Sequence, residues 1–523
     1  MPKGDSDMAK KNTSPRPRRS ASAAKTPAGS KLPRASAVKA SAPDVPAVRV
    51  RMYRQGLGDC FLITFDCGGQ NEQHMLIDFG SLGTKATSVK MSDVIADISK
   101  VTGQRLAILT ATHAHQDHVS GFLSQQPALQ AFNIENVWMP WTEDPGDALA
   151  KELGNKAAAM RATIAKALSM PEAKESGVAE KIAGMAAFEG LGLDSDALAQ
   201  FGGELGMGDS IARALDIVRK FPGAKTTYHS PGPPAIEMPG IDGFRFYVLG
   251  PPRDADKLRN MENNAADELY GLASAIDAHA ASGFDWTVDD EAPFDQRFCY
   301  PAAQTEQFYP DYGLSDQAYR RIDNQWFRSV AALAAKLDNF RNNTSLALAI
   351  ERIADGKVLL FPADAQEGNW LSWHDPKMKW KAGSGDQLIT AADLLERTVF
   401  YKVGHHSSHN ATAKGEGLEI MRKNQALTAF IPVDRTIALK RSPPGSWRMP
   451  AVELYKALLQ ACDGRVARAD LGWAAEATGV TKTDVEGAYI DLASTADWTH
   501  WSASQMAATN VTTYDLFIEY LLQ

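Results

Sequence analysis

One short stretch constrains this chain more than any other: His113-Ala114-His115-Gln116-Asp117-His118, entered from the apolar run Leu106–Leu109 and closed by Gly121. The run reads as a buried strand, and the loop after it carries three imidazoles and a carboxylate. That donor set suits Zn²⁺, Mn²⁺ or Fe rather than Ca²⁺ or Mg²⁺, which favour all-oxygen cages. On such a loop His113 and His115 alternate to one side. Asp117 and His118 can then serve a second centre about 3.5–4 Å away, the separation usual in two-metal hydrolytic sites.

Two later strands end in further ligands. Val358-Leu359-Leu360-Phe361-Pro362-Ala363 runs into Asp364, and Val399-Phe400-Tyr401-Lys402-Val403-Gly404 runs into His405, His406 and His409. Earlier, the turn Gln55-Gly56-Leu57-Gly58-Asp59 precedes a strand over Phe61–Phe65, and Met75-Leu76-Ile77 leads to Asp78. A further strand follows Asn342-Asn343-Thr344-Ser345.

Together these stretches resemble the metallo-β-lactamase superfamily, and within it the hydrolase domain of ComEC-type DNA-uptake proteins. The forms usual there are GQGD, LIDTG, NNxSLVL, LLxxGDA and LKVxHHGS. The likeness covers roughly Val48 to Ala461 in pieces, with Ala363 and Ser407 where glycine is usual. It implies an α/β fold of the αββα sandwich type, with a dinuclear metal site at one edge. Zinc is the first expectation, with manganese or iron also suited. The implied ligands are His113, His115, Asp117, His118, Asp364 as the bridging acid, and one of His405 and His406. His405 is the expected ligand, which leaves His406 to steady the oxyanion or leaving group. Asp117 would also orient a metal-generated hydroxide and shuttle its proton. Asp78 is expected to orient ligands from behind, with His409 as a looser supporting residue. Asn343 stands where many relatives carry a histidine. It could offer an amide oxygen or a hydrogen bond, and His229 is a candidate to replace the missing imidazole.

The resemblance tilts the activity towards phosphodiesters, as a nuclease or related phosphodiesterase. A hydrolase of a small ester, lactone or thioester is the alternative. A different class is a non-catalytic, metal-stabilised assembly protein that binds partners through its insertions.

Composition sets the bounds. Residues 1–46 carry almost no large apolar side chains and read as a disordered basic tail, a solubilising arm or a contact for nucleic acid or acidic partners. Up to Pro43 the tail carries a net +8 against −8 for the whole chain, so the remainder carries −16. An acidic body disfavours tight nucleic-acid binding, because phosphate contacts need Lys and Arg. Residues 47–462 read as the hydrolase domain, interrupted by helical insertions at about 145–222 and 254–340, and 463–523 as a small extension of unknown role. No apolar run reaches the roughly 18–20 residues of a membrane span. Four scattered cysteines and no apolar leader point to reduced thiols and a cytoplasmic location.

Overall fold

The computed structural model describes residues 45–66, 72–83, 89–168, 185–191, 210–259, 323–381, 388–440, 449–473 and 494–523. They belong to one compact unit, Val45–Gln523. The basic tail lies almost wholly outside the described residues, as does most of the second insertion.

Two large mixed sheets with helices make this an α/β protein. The first sheet contains β1 (Ala47–Tyr53), β2 (Phe61–Asp66), β3 (Gln73–Ile77), β4 (Arg105–Thr110), β5 (Asn133–Pro140) and β6 (Lys225–His229), in that order. The second begins with β7 (Phe244–Gly250), β8 (Ala347–Arg352) and β9 (Lys357–Phe361). The short β10 (Lys379–Lys381) and β11 (Leu388–Thr390) pair with each other. The second sheet continues with β12 (Thr398–Lys402), β13 (Thr428–Ile431), β14 (Val466–Arg468) and β15 (Gly472–Trp473), in the order β15-β14-β13-β12-β9-β8-β7. β16 (Val511–Thr513) and β17 (Phe517–Leu522) return to the first sheet, where β17 pairs antiparallel with β1. Residues after Cys462, expected as a small extension, are therefore built into both sheets.

The inner strands β2, β4, β9 and β12 are buried on both faces because each sheet is covered twice. Phe61, Ile63 and Phe65 of β2 meet Phe361, Phe244 and Phe246 of the second sheet in one core. The intervening Leu62 turns to the other side and joins Leu76, Leu109 and residues of helices Met91–Thr102, Gln116–Ser124 and Ser210–Arg219. The outer face of the second sheet packs Tyr247, Leu360 and Tyr401 with Leu454 and Leu458 of helix Val452–Ala461.

The insertions contribute a fourth core. Leu153, Ala157, Met160 and Ile164 of helix Ala148–Leu168 meet Val330, Ala334 and Leu337 of helix Asp323–Asn343. Their three- and four-residue spacing gives each helix one apolar stripe.

This topology fixes where a site can form. β3 and β4 are parallel neighbours in one sheet, and β9 and β12 are parallel neighbours in the other. Backbone that leaves the carboxyl ends of parallel strands is free of the ladder and can present side chains. Asp78, the 111–118 loop, Asp364 and the 405–406 histidines all leave from those four ends.

Candidate metal centre

The three separate stretches converge. Asp59, His118, Asp364 and His406, all buried, each place a ligand atom within 4.8 Å of the others, and the group could hold a metal ion. Asp117 belongs to the same constellation. Its Oδ2 is 2.6 Å from His406 Nε2 and 3.5 Å from His118 Nε2. Asp364 Oδ2 lies 3.2 Å from His118 Nε2 and 3.7 Å from His406 Nε2.

The rings are held from behind. His118 Nδ1–H donates to Asp78 Oδ2 at 2.7 Å, and Asp78 is itself fixed by the Thr112 amide and hydroxyl at 2.8 and 2.6 Å. His406 Nδ1–H donates to the Pro432 carbonyl at 2.7 Å. With Nδ1 committed in both rings, both Nε2 atoms face the carboxylates of Asp117 and Asp364. His118 Nε2 and Asp117 Oδ1 are buried and make no hydrogen bond. This donor set, two imidazoles and two carboxylates around orphaned buried atoms, fits a divalent transition metal.

Asp59 plays a different part from its neighbours. Its Oδ2 is 2.5 Å from Lys402 Nζ, and its oxygens approach the Nδ1 side of His118 and His406 at 3.8 and 3.9 Å. Those nitrogens already donate elsewhere, so Asp59 serves as counter-charge rather than as the natural fourth ligand. Lys402 Nζ also reaches Asp364 Oδ1 at 3.1 Å, and the His405 amide donates to that same oxygen at 3.0 Å. One oxygen of Asp364 is thus occupied, and only Oδ2 is left to face the histidines.

The charges settle accordingly. Burial raises the Asp364 carboxyl, but His118, Lys402 and His406 outweigh it and hold it well below the usual carboxylate range. Burial lowers His118, yet Asp364, Asp117, Asp59 and Asp78 raise it well above an ordinary histidine. His406 is raised in the same way, against its burial, by Asp364 and Asp117. Burial also lowers Lys402, and Asp59 and Asp364 more than reverse that, so it stays charged.

His113 and His115 sit beside this group, with His113 Nε2 3.0 Å from His115 Nδ1. Burial, then the neighbouring His118 and His115, push His113 well below the ordinary value. The insertions close over the centre. The Phe188 ring lies parallel to that of His406, with centroids 6.4 Å apart, and it is 5.8 Å from His115.

Several expectations are corrected by position. His406, not His405, turns into the cluster. The His405 ring faces Ser408 Oγ at 2.7 Å, Gln366 at 3.3 Å and Asn342 at 3.3 Å, and burial lowers its pKa to about 4. The reason is the backbone: His405, His406 and Ser407 all stand at positive φ, 39°, 49° and 65°, and this tight left-handed turn swings the second ring inward. Of the two roles open to Asn343, the structure shows a hydrogen bond: its side-chain oxygen accepts the Asn369 amide at 3.3 Å while its carbonyl accepts from the Asn369 side chain. Asn342 instead donates to Asp338 at 3.2 Å and lies 3.3 Å from His405 Nε2. His409 is part-exposed in the next turn, and its neighbour Asn410 is the one that reaches back to His405 and Ser408. His229 packs edge-on against Trp138 at the end of β6.

Asp59, Lys402, Phe188, Glu189, Asp338 and Asn342 were not anticipated as site residues. A lysine inside an otherwise apolar strand was the available signal for Lys402, since a buried ammonium demands a partner. No family model matches the chain, and no curated protein matches it.

Proposed function

We propose that this chain is a metal-dependent hydrolase with a dinuclear centre of the metallo-β-lactamase type, acting on phosphodiester bonds. The observation that carries the reading is the locked pair of rings. His118 and His406 commit Nδ1 to Asp78 and Pro432 and turn Nε2 upon the Asp117 and Asp364 oxygens. Bare lone pairs and buried carboxylates repel unless a cation lies among them, so the pocket takes either metal or extra protons.

Asp117, His118, His406 and Asp364 Oδ2 would hold one ion; His113 Nε2, His115 Nδ1 and Asp364 Oδ2 would hold the other. Bound divalent cations supply Lewis acidity, making water a nucleophile near neutral pH and drawing charge from a phosphoryl or acyl oxygen. The chain does the rest. Asp117 Oδ1, which has no hydrogen-bond partner, is placed to take a proton from the attacking water. Lys402 offsets the negative charge of Asp364 and Asp59 without entering the ligand shell. Phe188 excludes bulk water from the His406 face.

The test is a purified, metal-assayed protein offered single- and double-stranded DNA, RNA, cyclic dinucleotides, a chromogenic phosphodiester, and a chromogenic ester and lactone. Asp364→Ala and His118→Ala serve as controls. Diester cleavage lost in both variants supports the proposal. Turnover of only the ester or lactone replaces the substrate class.

One observation favours a second reading. His113, His115, Asp117, His118, Asp364 and His406 are all at most 1 % exposed, and structural metal sites are closed whereas catalytic ones keep an open position. Tight metal binding with no turnover across the panel would assign the metal to holding the two sheets and the insertions together.

A further inference from the structure

Two buried carboxylates approach the far edge of His115. Its Nε2 lies 3.4 Å from Glu189 Oε1 and 3.9 Å from Asp338 Oδ1. His115 Nε2, both Glu189 carboxylate oxygens, Asp338 Oδ1 and Asn342 Oδ1 are buried and make no hydrogen bond. Glu189 is 2 % exposed and sits in residues 185–191 of the first insertion, while Asp338 and Asn342 lie on helix Asp323–Asn343 of the second.

We propose that Glu189 is a positioning residue for the metal centre: it accepts the Nε2 hydrogen of His115 and thereby commits that ring to bind metal through Nδ1. The inference rests on the metal-centre reading above and adds that the insertions are part of the centre rather than decoration around it.

Ring geometry carries the argument. The two nitrogens of an imidazole point away from each other, so one cation cannot be shared between His113 Nε2, on the Nδ1 side of His115, and Glu189, on the Nε2 side. Glu189 is therefore not the third ligand of the ion held by His113. Glu189 also needs no ion of its own, because Arg341 Nε at 3.7 Å and Arg161 Nε at 4.0 Å already offset its charge. What remains for the carboxylate is a ring hydrogen. A closure of about half an ångström brings the pair into hydrogen-bond range.

His115 would then be the one metal-facing ring held by Nε2–H, where His118 and His406 are held by Nδ1–H. Carboxylates behind ligating histidines fix the tautomer and raise ligand basicity, and their loss typically weakens metal binding by roughly 10–100-fold. Here the carboxylate arrives on an insertion that also seats Phe188 against His406 and His115. Undocking that segment would loosen one ion and open the cover in a single event.

The test uses the full chain, stripped and reloaded with Zn²⁺. Competition with a chromophoric chelator counts tight sites in wild type, Glu189→Leu and Glu189→Gln. Two sites are expected in wild type. In Glu189→Leu one site should weaken roughly 10–100-fold while the other holds, and Glu189→Gln, which keeps an acceptor oxygen, should lose less. ¹⁵N spectra of histidine-labelled, Zn²⁺-loaded wild type should show one metal-bound ring protonated at Nε2, which decides the matter even if the variants do not fold. Two unchanged sites in a folded Glu189→Leu, or a His115 ring protonated at Nδ1, would overturn the inference and leave the metal centre standing. A third Zn²⁺ in wild type, with His115 unprotonated on both nitrogens, would overturn it in favour of an ion between Glu189 and Asp338. Wild type that binds no zinc would remove the metal centre itself, and this inference with it.

Discussion

The residue that sets the electrostatics of the centre is Lys402. Its ammonium is buried between Asp59 and Asp364, and the strand that carries it is otherwise apolar. Removing one member of a buried pair leaves the other uncompensated, which costs about 3–5 kcal/mol. Lys402→Met should lower denaturant stability by that order, and Asp59→Asn in the same chain should restore part of it, as a double-mutant cycle will show. Ser407 gives the opposite sign. It stands at φ 65°, its hydroxyl is buried without a partner, and the resembling families place glycine there. The left-handed region costs an L-residue roughly 1–2 kcal/mol, part of which glycine returns as unfolded-chain entropy. Ser407→Gly should therefore stabilise by about 1 kcal/mol in urea titration. These residues mark what the sequence could reveal. The joining of His118 and Asp364 in one buried group was legible, because each follows an apolar run that reads as a strand. The choice between His405 and His406 was not, because it depends on three consecutive positive φ angles that no spacing records.

At the scale of elements, a strand was readable where a buried run shows directly, whereas β6, β10, β11 and β14 to β17 were not anticipated. The expected strands at 61–65 and 106–109 lie within β2 and β4, and the one expected over 358–363 overlaps β9, which ends at Phe361. The partner choice of β17 was hidden, because pairing β1 with residues some 470 positions away leaves no local trace. Glu189 and Asp338 were hidden for the same reason: an acid in a helix-forming segment looks like a solvated face until two insertions fold onto one loop. The elements at the site also press on one another. A Cβ at Gly80 would lie 2.1 Å from the Asp117 carbonyl oxygen and 2.4 Å from the His118 amide nitrogen, both backbone atoms. Only glycine lets the segment after β3 pass beneath the 113–118 loop. Gly80→Ala should destabilise the fold by roughly 1–3 kcal/mol, as overpacking does, and displace Asp117 and His118 together. Zinc affinity measured beside thermal stability separates the two effects: a surface change would move neither, and a merely packed glycine would move only stability.

For the whole molecule, acid is the condition that tests both halves of the argument. His74 is 5 % exposed on β3, with Thr64 Oγ1 3.0 Å from its Nδ1. Burial, helped by Arg49 and Arg51, lowers its pKa from 6.5 to about 4. Its folded-state pKa lies below the unfolded one, so between these values the unfolded chain binds the proton more readily. The stability tied to neutral His74 is thus complete above about pH 6.5, erodes as pH falls, and is gone below about pH 4. The slope is at most about 1.4 kcal/mol per pH unit for one group. A metal held at the proposed centre would add a second acid loss of different origin, because burial is outweighed by the neighbouring carboxylates at His118 and His406 and metal would have to displace their protons. The two are separable. His74→Gln should flatten the fall in unfolding midpoint between pH 6.5 and 4 in metal-free protein, where the centre contributes no metal-linked term. Asp364→Asn should leave that fall in place while abolishing the additional midpoint shift that zinc produces at neutral pH. If His74→Gln leaves the metal-free acid profile unchanged, His74 is not among the buried imidazoles whose protonation destabilises the fold in acid.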